Sequence, residues 1–203
     1  MHGANNDFWK YVSKEFHSFF NENILEFGSY DMNGTIKDNF TTYKKYVGID
    51  WRKGPGVDVV GLAHDVNFDY KANAILSASM LEHDPHWDIS LNNMIKHLSK
   101  DGILILSWGS GKNPQHCLAE APDGGFHNLK VEKVRKHLEK NKMIIHTSVY
   151  EGDLNKIVNE QELILTKQYV SPNGSGEHCL IAFHDTLKID GGFICEMFDE
   201  DKI

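Results

Sequence analysis

Apolar residues recur along the chain in segments whose spacing distinguishes helices from strands. Residues 7–20 place six apolar side chains at intervals typical of an aromatic-rich amphipathic helix, and Asp7 is expected to cap its N-terminus. Residues 23–28 and 46–50 are short apolar runs that end in a glycine or a carboxylate, which predicts buried strands entering turns. Two further strands are predicted over residues 57–61 and 72–77.

The second half of the chain continues this alternation. Asp84 and Pro85 open a predicted helix with an apolar stripe, and Gly102 is expected to end it. Residues 103–108 are continuously apolar, so this strand is predicted to be buried on both faces. The remaining predicted elements are a helix capped by Asn128, strands over residues 143–149 and 179–183, and a turn at residues 190–192.

Strands that alternate with helices in this way indicate an α/β protein with a mainly parallel sheet covered on both faces. In such sheets, ligands bind beyond the carboxyl ends of the strands, where the strand order reverses. No internal repeat, low-complexity tract or Pro/Ser-rich linker interrupts the sequence, so residues 1–203 are expected to form a single domain. The search for function therefore narrows to the residues that follow each predicted strand.

Composition limits the class of protein further. The 203 residues are 40% hydrophobic, enough to build a core, and 29 acidic against 21 basic side chains give a formal charge of −8. A nucleic-acid partner is therefore not favoured, although local basic patches stay possible. Without an apolar run approaching 18 residues, and with a mean hydropathy of −0.43, no membrane partner is expected. Three widely spaced cysteines and no visible export signal indicate a cytoplasmic protein without disulfides.

Polar and aromatic residues follow the predicted strands. Asp50 ends the second strand and Trp51 comes next; a carboxylate there can accept both hydroxyls of a ribose while the aromatic ring lies against an adenine. A surface aspartate beside a core tryptophan is the plainer alternative. Asp65 can accept a hydrogen bond from an exocyclic amine or serve only as a turn residue, and Gly28 allows close approach of a ligand or a simple tight turn.

Five short motifs occur in order along residues 24–108. They are Glu26-Phe27-Gly28-Ser29, Tyr46-Val47-Gly48-Ile49-Asp50, Ala63-His64-Asp65, Met80-Leu81-Glu82-His83 and Leu98-Ser99-Lys100-Asp101-Gly102-Ile103-Leu104. Together they resemble the class I S-adenosylmethionine-dependent methyltransferases, and most of all the small bacterial and phage proteins described as methyltransferase domains. The resemblance implies a Rossmann-like, doubly wound, mostly parallel sheet of about seven strands with an antiparallel strand near the C-terminus, for which residues 179–183 are the candidate.

The resemblance also implies where the cofactor, S-adenosyl-L-methionine, would bind. The implied contacts are Glu26, Gly28, Ser29, Tyr30 and Asn33 around the methionine end, Asp50, Trp51, His64 and Asp65 around the ribose and adenine, and Ser79 and Met80 beside the sulfonium. Residues 1–22 would form an N-terminal helix that can act as a lid, residues 23–110 the cofactor-binding half and residues 111–203 the acceptor-side half.

Methyl transfer requires the protein mainly to hold donor and acceptor in line and to exclude water. A general base is needed when the acceptor is a hydroxyl or a protonated amine, and Glu82 and His83, just beyond the fourth strand, are the first catalytic candidates. The alternative is that these two residues cap or brace the following helix. His86, His116 and Trp108 are further candidates for the acceptor side.

The sequence departs from the family pattern in two places, one of which is the turn Leu98-Ser99-Lys100-Asp101-Gly102, where the family often has Leu-Lys-Pro-Gly-Gly. The other is the loop after the first strand. The glycines commonly found two and four residues after the first one are replaced by Tyr30 and Met32. His83 and His86 have no third ligand at a recognisable spacing, so no metal is expected, and the motifs of nucleobase methyltransferases are absent, which favours a small-molecule acceptor. Two alternatives stay open: a cofactor-binding protein without transferase activity, and a nicotinamide-dependent oxidoreductase, which would need the G-x-G-x-x-G motif that this chain lacks.

Overall fold

The computed structural model describes residues 3–32, 34–109, 129–149, 152–153, 169–170 and 176–184. Within them the helices are Gly3–Glu15 (α1), Trp87–His97 (α2) and Val131–Lys140 (α3), with short 3-10 turns at His17–Phe20, Lys37–Asn39 and Leu81–His83. The strands are Asn23–Phe27 (β1), Lys45–Asp50 (β2), Val59–Val60 (β3), Ala72–Ala78 (β4), Leu98–Gly109 (β5), Met143–Val149 (β6), Gly152–Asp153 (β7), Tyr169–Val170 (β8) and Gly176–His184 (β9).

These strands form one sheet whose central order is β3-β2-β1-β4-β5-β9-β6. Strands β1 to β5 run parallel, whereas β9 lies antiparallel between β5 and β6. The short β8 also pairs with β9, and β7 pairs with β8. The predicted fold class, a mostly parallel sheet of about seven strands with an antiparallel strand near the C-terminus, is confirmed. Because β2 and β4 flank β1, the strand order reverses there, and this is the expected ligand edge.

The sheet separates two apolar layers. One face packs against α1 and the 3-10 turns around it, and the other packs against α2 and α3. Strand β1 shows the alternation that produces this arrangement, since Ile24 lies in the first layer and Leu25 and Phe27 lie in the second. Residues 103–106 of β5 are fully buried and contribute to both layers in turn, as predicted for a strand covered on both faces.

The boundaries of helices α1 and α2 differ from the sequence expectations. Helix α1 begins at Gly3, so Asp7 lies inside the helix and is not its N-cap. Helix α2 ends at His97 instead of continuing to Gly102, which lies within β5. The glycine is needed there because a Cβ atom would lie 2.9 Å from the backbone oxygen of Asn73 on the neighbouring strand. A packing requirement inside the sheet therefore accounts for a glycine that the sequence pattern assigned to a helix end.

The other differences are smaller. The predicted third strand pairs with β2 only through Val59 and Val60. Helix α3 starts at Val131 with Lys130 at the N-cap position. Asn128 and the turn at residues 190–192 lie outside the described residues.

The connections between β1 and β4 contain no α-helix in the described residues, only turns and the 3-10 turn Lys37–Asn39. The turn between β2 and β3 is tied to the loop after β1, because the N–H of Asp31 donates to the carbonyl of Pro55 at 2.9 Å. It is also tied to β2, since the carboxylate of Asp58 accepts from the N–H of Gly48 at 2.8 Å. Loops thus surround the carboxyl ends of β1, β2 and β3. No helix in the described residues is long and apolar enough to cross a membrane.

Candidate cofactor and active site

A cleft opens at the carboxyl ends of β1, β2, β3 and β4, where the strand order reverses. Its cavity volume is about 150 Å³, and the cavity is partly open to solvent. The sequence-predicted residues that line it are Gly28, Tyr30, Asp50, Trp51, His64, Ser79, Met80 and His83. Four strand ends far apart in sequence therefore meet around one cavity.

Asp50, at the end of β2, is held in a fixed orientation at the cleft wall. One carboxylate oxygen accepts the backbone N–H of Arg52 at 2.9 Å, and the other accepts the N–H of Tyr30 at 3.4 Å. Each oxygen keeps a further lone pair for a ligand donor. Burial raises the pKa of Asp50, while these two hydrogen bonds and the nearby Arg52 guanidinium act in the opposite direction. A carboxylate placed in this way can accept two neighbouring hydroxyl groups.

Gly28 brings the loop after β1 close to the segment that follows β4. Its φ is +83°, a left-handed conformation, and a Cβ atom at this position would lie 2.6 Å from the Cβ of Met80. Its N–H donates to the carbonyl of Ile49 at 2.8 Å, which anchors the loop on β2. Ser79 also has a positive φ, +53°, and donates its N–H to the carbonyl of Ser107 at 2.8 Å. The backbone itself thus forms the floor of the cleft.

The ring of Tyr30 forms a wall of the cleft and is packed closely by its neighbours. The guanidinium carbon of Arg52 lies 4.0 Å from the centre of the ring, and it also lies 5.5 Å from the ring of Trp51. A Cβ atom on Gly54 would lie only 2.0 Å from a ring carbon of Tyr30, so this position accepts no side chain without moving the ring. The β2–β3 turn therefore sets the position of Tyr30.

The loop after β3 brings a histidine, and not the neighbouring aspartate, into the cleft. His64 lines the cavity and its ring makes an edge contact with His86, with 5.1 Å between ring centres. Asp65 lies 3.8 Å from the His64 imidazole, but its side chain is 71% exposed and is not among the cleft-lining residues. The two adjacent candidates for the adenine rim thus have different positions, with Asp65 outside the cavity.

Two other predicted cofactor residues lie behind the cavity wall. Glu26 is buried beneath the loop and its carboxylate accepts the hydroxyl of Tyr46 at 2.6 Å. Burial raises the pKa of Glu26 to about 7, although the Tyr46 hydrogen bond and the nearby Lys37 lower it. Ser29 is also buried and packs against Gly48. Asn33, the remaining loop residue in the prediction, lies outside the described residues.

The two catalytic candidates after β4 differ in their accessibility to the cleft. His83 lines the cavity, whereas Glu82 is only 2% exposed and accepts the backbone N–H of Gly109 at 2.8 Å. Glu82 thereby joins the β4 loop to the end of β5. Trp108 is fully buried and donates its indole N–H to the carbonyl of Leu129 at 2.8 Å, while His116 lies outside the described residues.

Sequence reasoning missed several lining residues. They are Met32, Ile49, Arg52, Gly61, Leu62, Ala63, Asp84 and Pro85. Most are direct neighbours of predicted residues, because whole loop segments cross the cleft. Asp84 also has a structural role, since its carboxylate accepts the N–H of His86 and the hydroxyl of Ser90 at the start of α2. The described residues contain no cluster of potential metal ligands.

Neither a family model nor a curated protein matches the sequence. The fold of this chain is nevertheless similar to the folds of solved structures. An S-adenosylmethionine-dependent methyltransferase from Clostridium acetobutylicum has 11% identity and a TM-score of 0.61 over 91% of this chain and 92% of its own. The 1,6-didemethyltoxoflavin-N1-methyltransferase of Burkholderia thailandensis has 13% identity and a TM-score of 0.63 over 89% and 78%. Magnesium protoporphyrin IX methyltransferase of Synechocystis has 11% identity and a TM-score of 0.59 over 89% and 80%. The chain thus has the class I S-adenosylmethionine-dependent methyltransferase fold.

Proposed function

We propose that this protein is an S-adenosyl-L-methionine-dependent methyltransferase acting on a small-molecule acceptor. The observation that carries the proposal is the Asp50 carboxylate, oriented by two backbone N–H groups at the wall of a cleft on the switch-point edge. Among the similar structures, the Burkholderia enzyme holds S-adenosylhomocysteine together with its acceptor, 1,6-didemethyltoxoflavin, and the Synechocystis enzyme holds the cofactor. These bound groups support the same class of ligand here.

The cleft residues fit the parts of this cofactor. Asp50 would accept the two ribose hydroxyls, with Trp51 against the adenine and His64 at its rim. The backbone floor at Gly28, with Met80 against it, would lie beneath the methionine and the sulfonium. Glu26 and Ser29 would support the loop from behind, whereas Asp65, outside the cavity, would make no contact with the cofactor.

When bound, the cofactor supplies the methyl group as an electrophile. The chain then has to hold the acceptor in line, exclude water and take up a proton where the acceptor carries one. We assign the proton acceptor to His83, whose side chain lines the cleft, and a positioning role to Glu82, which holds the end of β5 through the N–H of Gly109. Neither role needs a metal ion.

The dinucleotide-dependent alternative is less well supported. Dinucleotide sites of this topology place the pyrophosphate at the N-terminus of a helix that follows the first strand. In the described residues after β1, the chain forms only the 3-10 turn Lys37–Asn39 before β2. A cofactor without a pyrophosphate therefore suits the cleft better. A binding protein without transferase activity would use the same cleft and differs only in turnover.

Titration of the protein with S-adenosylhomocysteine in a calorimeter tests the proposal. We expect saturable binding at one site per chain and a rise in the melting temperature, because a ligand that binds only the folded state stabilises it. Nicotinamide adenine dinucleotide is the control and should produce neither effect. The absence of binding at millimolar S-adenosylhomocysteine, or equal binding of both nucleotides, would contradict the proposed function.

Gly54→Ala tests the packing of Tyr30 against the β2–β3 turn. We expect S-adenosylhomocysteine affinity to fall about fivefold, because the added methyl group forces the ring into the cleft, at a cost of roughly 1 kcal/mol. In a Tyr30→Ala background the same substitution should change the affinity little, which gives a double-mutant cycle. An equal loss of affinity in both backgrounds would show that Tyr30 does not transmit the effect.

We also propose that the chain is one domain in the cytoplasm. One sheet joins strands from residue 23 to residue 184, which supports treating residues 23–110 and 111–203 as halves of a single unit. The three cysteines are widely spaced along the sequence and form no C-x-x-C motif, which supports a reducing compartment. The lid role of residues 1–22 stays a prediction, since the apolar side chains described in α1 pack in the core and no described side chain of α1 lines the cleft.

A further inference from the structure

Helix α2 carries two hydrogen-bonding side chains on its buried side, one helical turn apart. Asn93 is 9% exposed and His97 is 2% exposed, and both lie among apolar neighbours of the helix such as Leu91 and Met94. A buried polar group costs stability unless it is hydrogen-bonded. The partners of these two side chains therefore indicate what they contribute.

The carboxamide of Asn93 joins α2 to the loop after β3, residues 61–68. Its Nδ2 group donates to the carbonyl of Ala63 at 2.9 Å and to the carbonyl of Val66 at 2.8 Å. A carboxamide has two N–H donors, and both are used on this one loop. Because Ala63 lines the cleft, a side chain of the helix directly fixes a backbone group of the cleft wall.

His97 holds the far end of the same loop. Its Nε2 accepts the backbone N–H of Phe68 at 3.0 Å, so this nitrogen carries no proton. The proton is therefore on Nδ1, which donates to the carbonyl of Asn93 at 2.8 Å. The loop, the neutral imidazole and the backbone of Asn93 thus form one connected set of hydrogen bonds.

The loop after β3 has little sheet structure to hold it. Strand β3 consists of Val59 and Val60, and its pairing with β2 extends over these two residues. The N–H of Gly61 then donates to the carbonyl of Asp50 at 2.9 Å, which fixes the first residue of the loop. Over residues 63–68, the hydrogen bonds from α2 continue this attachment. The cleft-lining part of the loop therefore takes its position from α2.

The same helix also holds the opposite wall of the cleft. Asp84, which lines the cavity one residue after His83, accepts the N–H of His86 at 2.8 Å and the hydroxyl of Ser90 at the start of α2. The rings of His86 and His64 are in edge contact across the two loops. Helix α2 thus fixes the loop after β3 relative to the segment that carries the proposed proton acceptor.

We propose that Asn93 and His97 are positioning residues for the base of the cofactor. They act through the loop after β3, which carries His64 to the adenine rim, so this inference rests on the proposed function. Neither side chain lines the cleft. A loop already fixed by α2 binds the base without an ordering cost, whereas a loop released from α2 has to be ordered when the ligand binds. The ribose and homocysteine parts of the ligand do not depend on this loop.

Titrations with S-adenosylhomocysteine and with S-ribosylhomocysteine, which lacks the base, test the proposal; the weaker ligand is measured by its displacement. Asn93→Leu should lower the affinity for S-adenosylhomocysteine about tenfold and that for S-ribosylhomocysteine less than about twofold, because two loop carbonyls lose their donors. A smaller folded fraction would instead lower both affinities equally. The control Asn92→Leu makes the same exchange at an exposed position, where Asn92 accepts from the ring of His137, and should change neither affinity.

Two variants of His97 provide the second measurement, which decides the question if Asn93→Leu does not fold. His97→Leu removes the acceptor of the Phe68 N–H and should lower the ratio of the two affinities about fivefold. His97→Gln should restore the ratio, because its carbonyl oxygen can take the place of Nε2. If wild type does not bind S-adenosylhomocysteine, the proposed function itself is contradicted. If wild type binds, but Asn93→Leu leaves the ratio unchanged or His97→Gln behaves like His97→Leu, this inference alone is overturned.

Discussion

Asp50→Ala is expected to weaken the binding of S-adenosylhomocysteine by about 100-fold or more. The ribose hydroxyls lose a charged acceptor worth about 1.5–3 kcal/mol per hydrogen bond, and a loss of about 3 kcal/mol corresponds to roughly 150-fold in affinity. The substitution also frees the N–H groups of Tyr30 and Arg52, which loosens the adjoining loops. Isothermal titration calorimetry at pH 7.5 measures the effect directly.

Two further variants separate this role from a general charge effect. Asp50→Asn keeps one acceptor oxygen and should bind with intermediate affinity. Asp65→Ala removes a carboxylate from the loop after β3. Because the side chain of Asp65 is largely exposed and does not line the cleft, this variant should bind S-adenosylhomocysteine as tightly as wild type. If Asp65→Ala weakens the binding of S-adenosylhomocysteine as much as Asp50→Ala does, the ribose site is not at the end of β2.

Glu26→Gln is expected to stabilise the protein at alkaline pH. Burial raises the pKa of Glu26 from an ordinary value of 4.5 to about 7, so the folded state holds the proton more tightly than the unfolded chain. The carboxyl group is therefore best tolerated below pH 4.5, and stability is lost as the pH rises from 4.5 to 7. The difference between the two pKa values corresponds to about 3 kcal/mol of unfolding free energy. The amide in Glu26→Gln carries no such penalty, and its oxygen can still accept the Tyr46 hydroxyl.

Urea unfolding at pH 5 and pH 8 measures this effect as a difference between variant and wild type. The advantage of Glu26→Gln should grow with pH, because other titrating groups contribute equally to both proteins. Glu22→Gln is the matched control, since Glu22 is exposed near Lys44 and its ion pair adds little stability. A pH-independent difference between Glu26→Gln and wild type would show that Glu26 does not titrate in this range.

The positions of most strands along the chain and half of the cleft-lining residues were predictable, because they depend on local patterns. The continuous apolar run of residues 103–108 had to be a buried strand, and Asp50 followed a strand at the edge where parallel sheets bind ligands. The family resemblance then implied which residues at the strand ends contact the cofactor. A residue of this kind can be identified from the apolar pattern of its own strand and from its position at the end of that strand.

Other features depend on contacts that no local pattern contains. The sequence does not show that Gly54 packs against Tyr30, because that contact joins two loops after different strands. Gly102 resembled a helix end, since its close neighbour Asn73 lies on another strand. Nothing in the sequence favoured either His64 or Asp65 as the residue at the adenine rim. The orientation of the loop after β3 places only His64 in the cleft.

The position of β9 has a consequence for how the protein is made. This strand is the last described along the chain, yet it lies between β5 and β6 and pairs with both. A ribosome therefore completes the two neighbouring strands well before it delivers the strand that joins them. Until then, apolar β5 presents an open edge, the kind of surface that pairs with other chains. Products truncated before residue 176 should accordingly aggregate. Slower synthesis of the segment that contains β9 should lengthen the time during which the edge of β5 is open and so increase the need for chaperones.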